Sequence, residues 1–405
     1  MKETQLKALL REKTTPLYVF DLAELKRRVQ YLRQALPEKV KLCYAVKANP
    51  FILEELSGLV DRLEICSPGE LHICRQLGLP GEKFVVSGVY KEPTLLRQWI
   101  SQGEPTGVYT VESMTQFDVI CQAAAAAQKR VPLLLRLTSG NQFGLDEAEI
   151  QSLIGEYRDS PFLDIRGIQY FSGTQKTSLK RLKRELDTLD SFLKGLRDTW
   201  GYEARELEFG PGFPVSYFQG DSFEESAFLE GFSQMLRELD FSGSITLELG
   251  RSIAASCGSY LTQVVDRKRN LGENYAIVDG GIHQLAYYGQ FMAMKHPYIH
   301  ILHREQAAKD SGEEPWNICG SLCTVNDILV KKLPLGNLNI GDVLVFQNTG
   351  AYCMTEGISL FLTRDLPEVV LLKGDGTTLT VRPRIQTHTL NIPNMKGEAC
   401  YGKTD

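Results

Sequence analysis

The sequence predicts an α/β protein: a (β/α)8 TIM-like barrel joined to a second, mainly antiparallel β domain. Three observations lead there. From about residue 26 to 260, eight short apolar runs alternate with amphipathic stretches. The runs are almost continuously apolar, as parallel strands covered by helices on both faces require. Beyond residue 260 the helical patterns thin out, and β-rich runs follow one another between turn residues. At 405 residues the chain is also too long for one ordinary core. The expected division is 26–260 for the barrel and 261–405, together with 1–25, for the β domain.

The strand runs lie near 40–46, 62–66, 84–87, 106–110, 132–137, 165–170, 205–209 and 245–248. The first, Leu42-Cys43-Tyr44-Ala45-Val46, and the fifth, Pro132-Leu133-Leu134-Leu135, show the pattern best. Helical spacing of apolar residues marks 23–36, 69–78, 112–128, 147–157, 178–200 and 224–239. Eight repeats of this length suit a barrel; a doubly wound open sheet is the rival on pattern alone. In the second domain the expected strands are 259–266, 274–279, 298–303, 342–348, 358–363 and 367–373. Leu17-Tyr18-Val19-Phe20 is expected to pair with them, and 304–315 reads as an exposed loop.

Hydrophobic content of 43% and charged content of 23% are those of a soluble globular protein. The net charge of −5 supplies no overall attraction to nucleic acid or an acidic membrane. The basic run Lys180, Arg181, Lys183, Arg184 has the spacing of a solvated helix face. No basic-then-apolar leader opens the sequence and no apolar run reaches about 18 residues, so a cytoplasmic protein without membrane partners is expected. The nine cysteines are scattered, with no C-x-x-C pair, which argues against a zinc site or a disulfide framework. Most are expected to be small buried hydrophobes.

In a barrel, function gathers at the carboxyl ends of the strands. The first strand ends in Lys47. A lysine there is costly to bury without a use, and desolvation suits its amine to forming a carbon–nitrogen link with a carbonyl. A snorkelling rim lysine explains it equally well. Three later strands run into small-residue turns: Phe171-Ser172-Gly173-Thr174, Gly210-Pro211-Gly212 and Glu248-Leu249-Gly250-Arg251. Bare backbone N–H groups, a hydroxyl and a fixed cation make a phosphate cradle, with a carboxylate beside it. Any one such turn is ordinary; three at one barrel end point to a site.

Tyr44-Ala45-Val46-Lys47-Ala48-Asn49-Pro50 resembles the cofactor-lysine motif of the pyridoxal-phosphate-dependent diaminopimelate/ornithine decarboxylase family. Ser67-Pro68-Gly69-Glu70-Leu71, Asn141-Gln142-Phe143-Gly144, Gly320-Ser321-Leu322-Cys323 and Gly350-Ala351-Tyr352 continue the resemblance in the family's order. It implies an alanine-racemase-like barrel plus a β domain, pyridoxal 5'-phosphate as cofactor, and decarboxylation of an amino acid. By the same resemblance Lys47 would carry the cofactor. Glu248 would face its ring nitrogen, and Thr174, Gly210, Gly212, Gly250, Arg251 and Tyr352 would contact its phosphate. Glu64 stands where the family has an aspartate, and Phe171 where many members stack a histidine. Cys323, the second expected catalytic residue, would protonate the product carbon in the partner subunit's site, which implies a homodimer.

Two departures bear on the substrate. Thr324 follows the cysteine where the family usually has an acidic residue that grips a distal amine; Asp327 could shift to help. Asp279-Gly280-Gly281-Ile282-His283 leads into a segment without the arginine–proline pair expected around a distal carboxylate. Both are similar to the branch in specialised biosynthesis that acts on amino acids tethered to a carrier protein or otherwise conjugated. Thr324, Asp327 and His283 are therefore the candidate substrate contacts, although His283 also suits a satisfied loop histidine. A free diamino acid as substrate, a racemase, and a non-catalytic cofactor-binding homologue are the alternatives. No metal is expected.

Overall fold

The eight apolar runs of the first part close on themselves. In the computed structural model, which describes residues 1–102, 107–304, 312–336 and 338–393, strand numbering starts with β1 (Leu17–Asp21). The barrel strands follow as β2 (Lys41–Ala45), β3 (Arg62–Ile65), β4 (Phe84–Val86), β5 (Val108–Val111), β6 (Val131–Leu137), β7 (Leu163–Phe171), β8 (Glu206–Gly210) and β9 (Ser244–Leu249). All neighbours are parallel, and β9 returns to β2 with Cys43 opposite Glu248, so the open-sheet alternative is excluded. The unit holding the barrel comprises Glu24–Ser216 and Asp221–Ser256.

Local chemistry explains the helices. Ser67, Ser113, Asp146 and Ser178 each accept a backbone N–H as N-caps, and Asp146 completes a capping box with Glu149. Helix Leu179–Trp200 buries Leu182, Leu186, Leu189, Leu193 and Leu196 along one stripe and stops at the left-handed Gly201. Helix Pro93–Gln102 was not expected; it buries only Leu96 and Ile100, too weak a stripe to read. Inside the barrel, Cys43, Val85, Val108 and Leu134 form an apolar layer.

The other unit takes Met1–Ala23, Tyr217–Gly220 and the chain from Cys257 onward. Its strands are β10 (Gly258–Asn270), β11 (Glu273–Val278), β12 (Ile299–Leu302), β13 (Glu314–Cys319), β14 (Ile328–Leu335), β15 (Val343–Gln347), β16 (Glu368–Leu372) and β17 (Thr378–Arg382). They form one sheet with β1, ordered β14-β13-β11-β10-β1-β16-β17, with β15 pairing both β10 and β12. Pairing is mainly antiparallel; β1–β16 and β11–β13 are parallel. Leu6, Leu9, Leu17, Val19, Leu261, Val345 and Val370 share its core.

One expectation fails here. Segment 358–363 is not a strand: it ends in a 3₁₀ turn, Phe361–Thr363, with Leu362 and Thr363 at positive φ, which no ladder tolerates. The loop expected at 304–315 lies mostly outside the described residues, and its end, from Glu314, already belongs to β13. β13, β14 and β17 escaped the sequence reading because prolines, lysines and half-exposed positions break their alternation. Of the nine cysteines, Cys400 is outside the described residues; Cys43, Cys74, Cys257 and Cys353 are buried and Cys323 is exposed. Among the described residues no helix is long and apolar enough to cross a membrane.

Candidate active site

Lys47 leaves β2 in a 3₁₀ turn, Val46–Ala48, that places its side chain at the open carboxyl end of the barrel. The Nζ donates to Glu64 Oε2 on β3 at 2.6 Å and lies 3.4 Å from Cys66 Sγ. Burial pushes Glu64 up, but the Lys47 ammonium outweighs it and leaves the carboxyl below its ordinary value. Glu248, next door on β9, goes the other way. Burial and the negative Glu64 lift it well above the carboxylate range, and the two acids are hydrogen-bonded. Lys47 therefore meets two acids at the mouth, one held low by its ammonium and one raised by burial.

The glycine turns stand at the ends of β7 and β8. Gly212 has φ +63, and a side chain on it would run into the Gly173 carbonyl. Its own carbonyl accepts from Lys176 N at 2.9 Å, and the Gln175 amide is clamped to Val215 from both sides. Gly210 faces Phe171, whose ring fills the space that a Cβ would need. Thr174 is half-buried between these turns, while Gly250 and the buried Arg251 follow β9.

The remaining candidates belong to the β unit. Cys323 is exposed on a turn that Asp327 ties down: the Asp327 carboxylate accepts from Leu322 N at 2.7 Å and from Ile282 N at 2.8 Å. Thr324 is half-buried, its hydroxyl accepting from Asn326 N. His283 is buried, its Nδ1 makes no hydrogen bond among the described residues, and burial followed by the Arg364 charge depresses it to about 4. Tyr352 sits at φ +64, its carbonyl accepting from Thr355 N and Glu356 N.

The sequence pattern described as pyridoxal-dependent decarboxylase, C-terminal sheet domain, matches residues 17–350. The chain belongs to the pyridoxal-dependent decarboxylases. Among this family's members it is 25% identical to the L-glutamyl-[BtrI acyl-carrier protein] decarboxylase of Niallia circulans, over 94% of each chain. It is 26% identical to the 2-[(L-alanin-3-ylcarbamoyl)methyl]-2-hydroxybutanedioate decarboxylase of Staphylococcus aureus, over 88% of this chain and 93% of that one. Its fold matches the crystal structure of Helicobacter pylori diaminopimelate decarboxylase complexed with L-lysine, with a TM-score of 0.82 at 24% identity, covering 95% and 98% of the two chains.

The donor set fits the cofactor of the pyridoxal-dependent decarboxylases. Lys47 offers the amine, and Glu248 is a half-buried acid on β9, raised above the carboxylate range. The turns at Gly173–Gln175 and Gly210–Gly212 carry glycines at positive φ, at Gly173 and Gly212, in the backbone that would meet a phosphate. Several residues of this decarboxylase mouth went unread in the sequence. Cys66 donates to Glu64 at 3.1 Å, and its thiol is pushed far up by burial and by Glu64. Glu70 accepts from Cys66 N at 2.7 Å. Arg136 pairs with Glu112 at 2.8 Å, out of solvent, with Phe143 4.7 Å from its guanidinium. Lys91 is fully desolvated, depressed to about 8 by burial against the pull of Glu112, and donates to Gly88 O and Gln116 Oε1. The available signal was a charged or amide residue inside an apolar strand run, as with Arg136 in β6 and Gln169 in β7.

Proposed function

We propose that this chain decarboxylates an amino acid whose side chain is joined to a carrier protein or another molecule, acting in the cytoplasm as a homodimer with shared active sites. One observation carries the substrate reading. Asp327 is the single acidic residue of the 321–327 turn, and both of its carboxylate oxygens are engaged by backbone N–H groups. With Thr324 beside the cysteine, that turn offers no free carboxylate to a distal ammonium. A substrate with such an ammonium forgoes a charge-assisted hydrogen bond of about 1.5–3 kcal/mol. Two of the similar decarboxylases carry conjugated substrates in their names.

Bound pyridoxal phosphate supplies an electron sink for the pair left as carbon dioxide departs. Lys47 would hold the cofactor through its amine, and Glu64, bonded to that amine, would accept its proton. Glu248 shares its proton with the ring nitrogen. Thr174, Gly210, Gly212, Gly250 and Arg251 hold the phosphate, and Phe171 packs beside the ring through dispersion alone, having no group to titrate. Cys323 of the partner subunit delivers a proton to the former α-carbon; a thiol is a suitable acid for that step.

Mass spectrometry in deuterated water tests the reading, with free diamino acids set against carrier-tethered and conjugated ones. The expected result is loss of carbon dioxide with deuterium at the former α-carbon, from tethered or conjugated substrates alone. Turnover of free diaminopimelate, or deuterium entry with the carboxylate retained, refutes it.

A further inference from the structure

Beside Glu64 and Glu248 the barrel holds a third carboxyl that this chemistry does not use. Glu208 on β8 is fully buried, opposite Gln169 on β7 and Thr246 on β9. Its charged and titratable surroundings come from every side: Arg62 and Glu64 on β3, Glu248 on β9, Cys43 on β2 and Glu206 on its own strand. Arg62 offsets this charge only in part: its guanidinium bonds Glu206 at 2.7 Å, while its Nη1 forms a longer ion pair, 3.5 Å, with Glu208 Oε2. Burial lifts Glu208 to about 7 against the Arg62 charge, with Glu64 and Glu206 adding to the rise, so this proton comes off in the neutral range.

Gln169 carries the matching deficit. Its Nε2 donates to Glu248 Oε2 at 2.8 Å. Its Oε1 is buried without a hydrogen-bond partner among the described residues, and so are both Glu208 oxygens. Unpaired buried polar atoms are costly, and a carboxylic acid on the adjacent strand is the donor that the amide oxygen lacks.

We propose that Gln169 and protonated Glu208 form a relay that fixes Glu248. The Glu208 O–H donates to Gln169 Oε1, which keeps the amide N–H turned toward Glu248. Once ionised, Glu208 can only accept; the amide then turns toward it, and Glu248 loses its donor. Both are positioning residues, and the inference rests on Glu248 as the acid facing the ring nitrogen.

Infrared titration of the cofactor-free protein is the first test. A buried-acid carbonyl band should vanish with a midpoint near 7, and Glu208→Gln should remove it. That amide donates at every pH, so cofactor affinity in Glu208→Gln should hold above pH 7, where the wild type weakens. Glu208→Leu and Gln169→Leu should each weaken cofactor binding about tenfold, and the double variant no further than either alone. A wild type without a neutral-range acid band, or additive losses, overturns the relay. Neither readout uses turnover, so a protein that passes both yet releases no carbon dioxide refutes the proposed function and leaves the relay standing.

Discussion

Lys47 Nζ and Glu64 Oε2 stand 2.6 Å apart between β2 and β3 of the barrel, so the Lys47 amine meets a carboxyl that it holds below the ordinary value. Lys47→Ala should abolish covalent cofactor attachment and turnover. Glu64→Gln should keep the attachment, seen as the protein-bound cofactor's visible absorbance, and lower the rate roughly 10²–10⁴-fold if Glu64 moves the amine's proton. A Glu64→Gln enzyme of wild-type rate would reduce the pair to an ion pair of the resting protein.

Cys323 is exposed on a turn pinned by Asp327. Cys323→Ala should still release carbon dioxide, with the product carbon protonated wrongly; unchanged products in that variant remove the thiol from the mechanism. Asp327→Ala leaves Ile282 N and Leu322 N without their acceptor, at about 1–3 kcal/mol for each buried group. Its melting temperature should drop, and its product spectrum should shift toward that of Cys323→Ala.

Gly212 has φ +63 and no room for a side chain against the Gly173 carbonyl. Gly212→Ala should weaken cofactor binding by at least about tenfold, through roughly 1–3 kcal/mol of backbone strain plus the displaced turn. Equilibrium binding followed by fluorescence measures it. Wild-type affinity would place the phosphate elsewhere.

His283 sets an acid limit on stability. Burial holds its folded-state value near 4, against an ordinary 6.5. As pH falls from 6.5 toward 4 the unfolded chain takes up this proton first, so the folded state loses stability across that window. The loss should be of the order of 2 kcal/mol. In thermal melts the wild type should lose stability relative to His283→Leu as pH falls from 6.5 toward 4; parallel curves would exclude His283 as the cause.

The barrel was legible because β2 to β9 are mostly buried and hence largely apolar, and because the helices between them carry caps and stripes that declare their limits. Lys47, Glu248, Gly212 and Arg251 were legible because strand ends are where a parallel barrel exposes backbone and polar groups. The β unit was less so: β13, β14 and β17 carry proline, lysine and half-exposed positions, and 358–363 is apolar without being a strand.

The sequence by itself determined the fold class, the family resemblance and the strand-end chemistry, since these depend on local periodicity and on residue types at fixed offsets. Only the tertiary structure decided the barrel's closure through the Cys43–Glu248 register. It alone also showed which acids are raised and which is held low. Glu64, Glu208 and Glu248 are the same residue type in similar strands, yet Glu64 is held low while Glu208 and Glu248 are raised. The difference is the partner: the Lys47 ammonium bonds Glu64 directly, whereas Glu208 and Glu248 are raised by desolvation and by the charge of Glu64. Gln169 reads as one more strand residue until β8 is laid beside it.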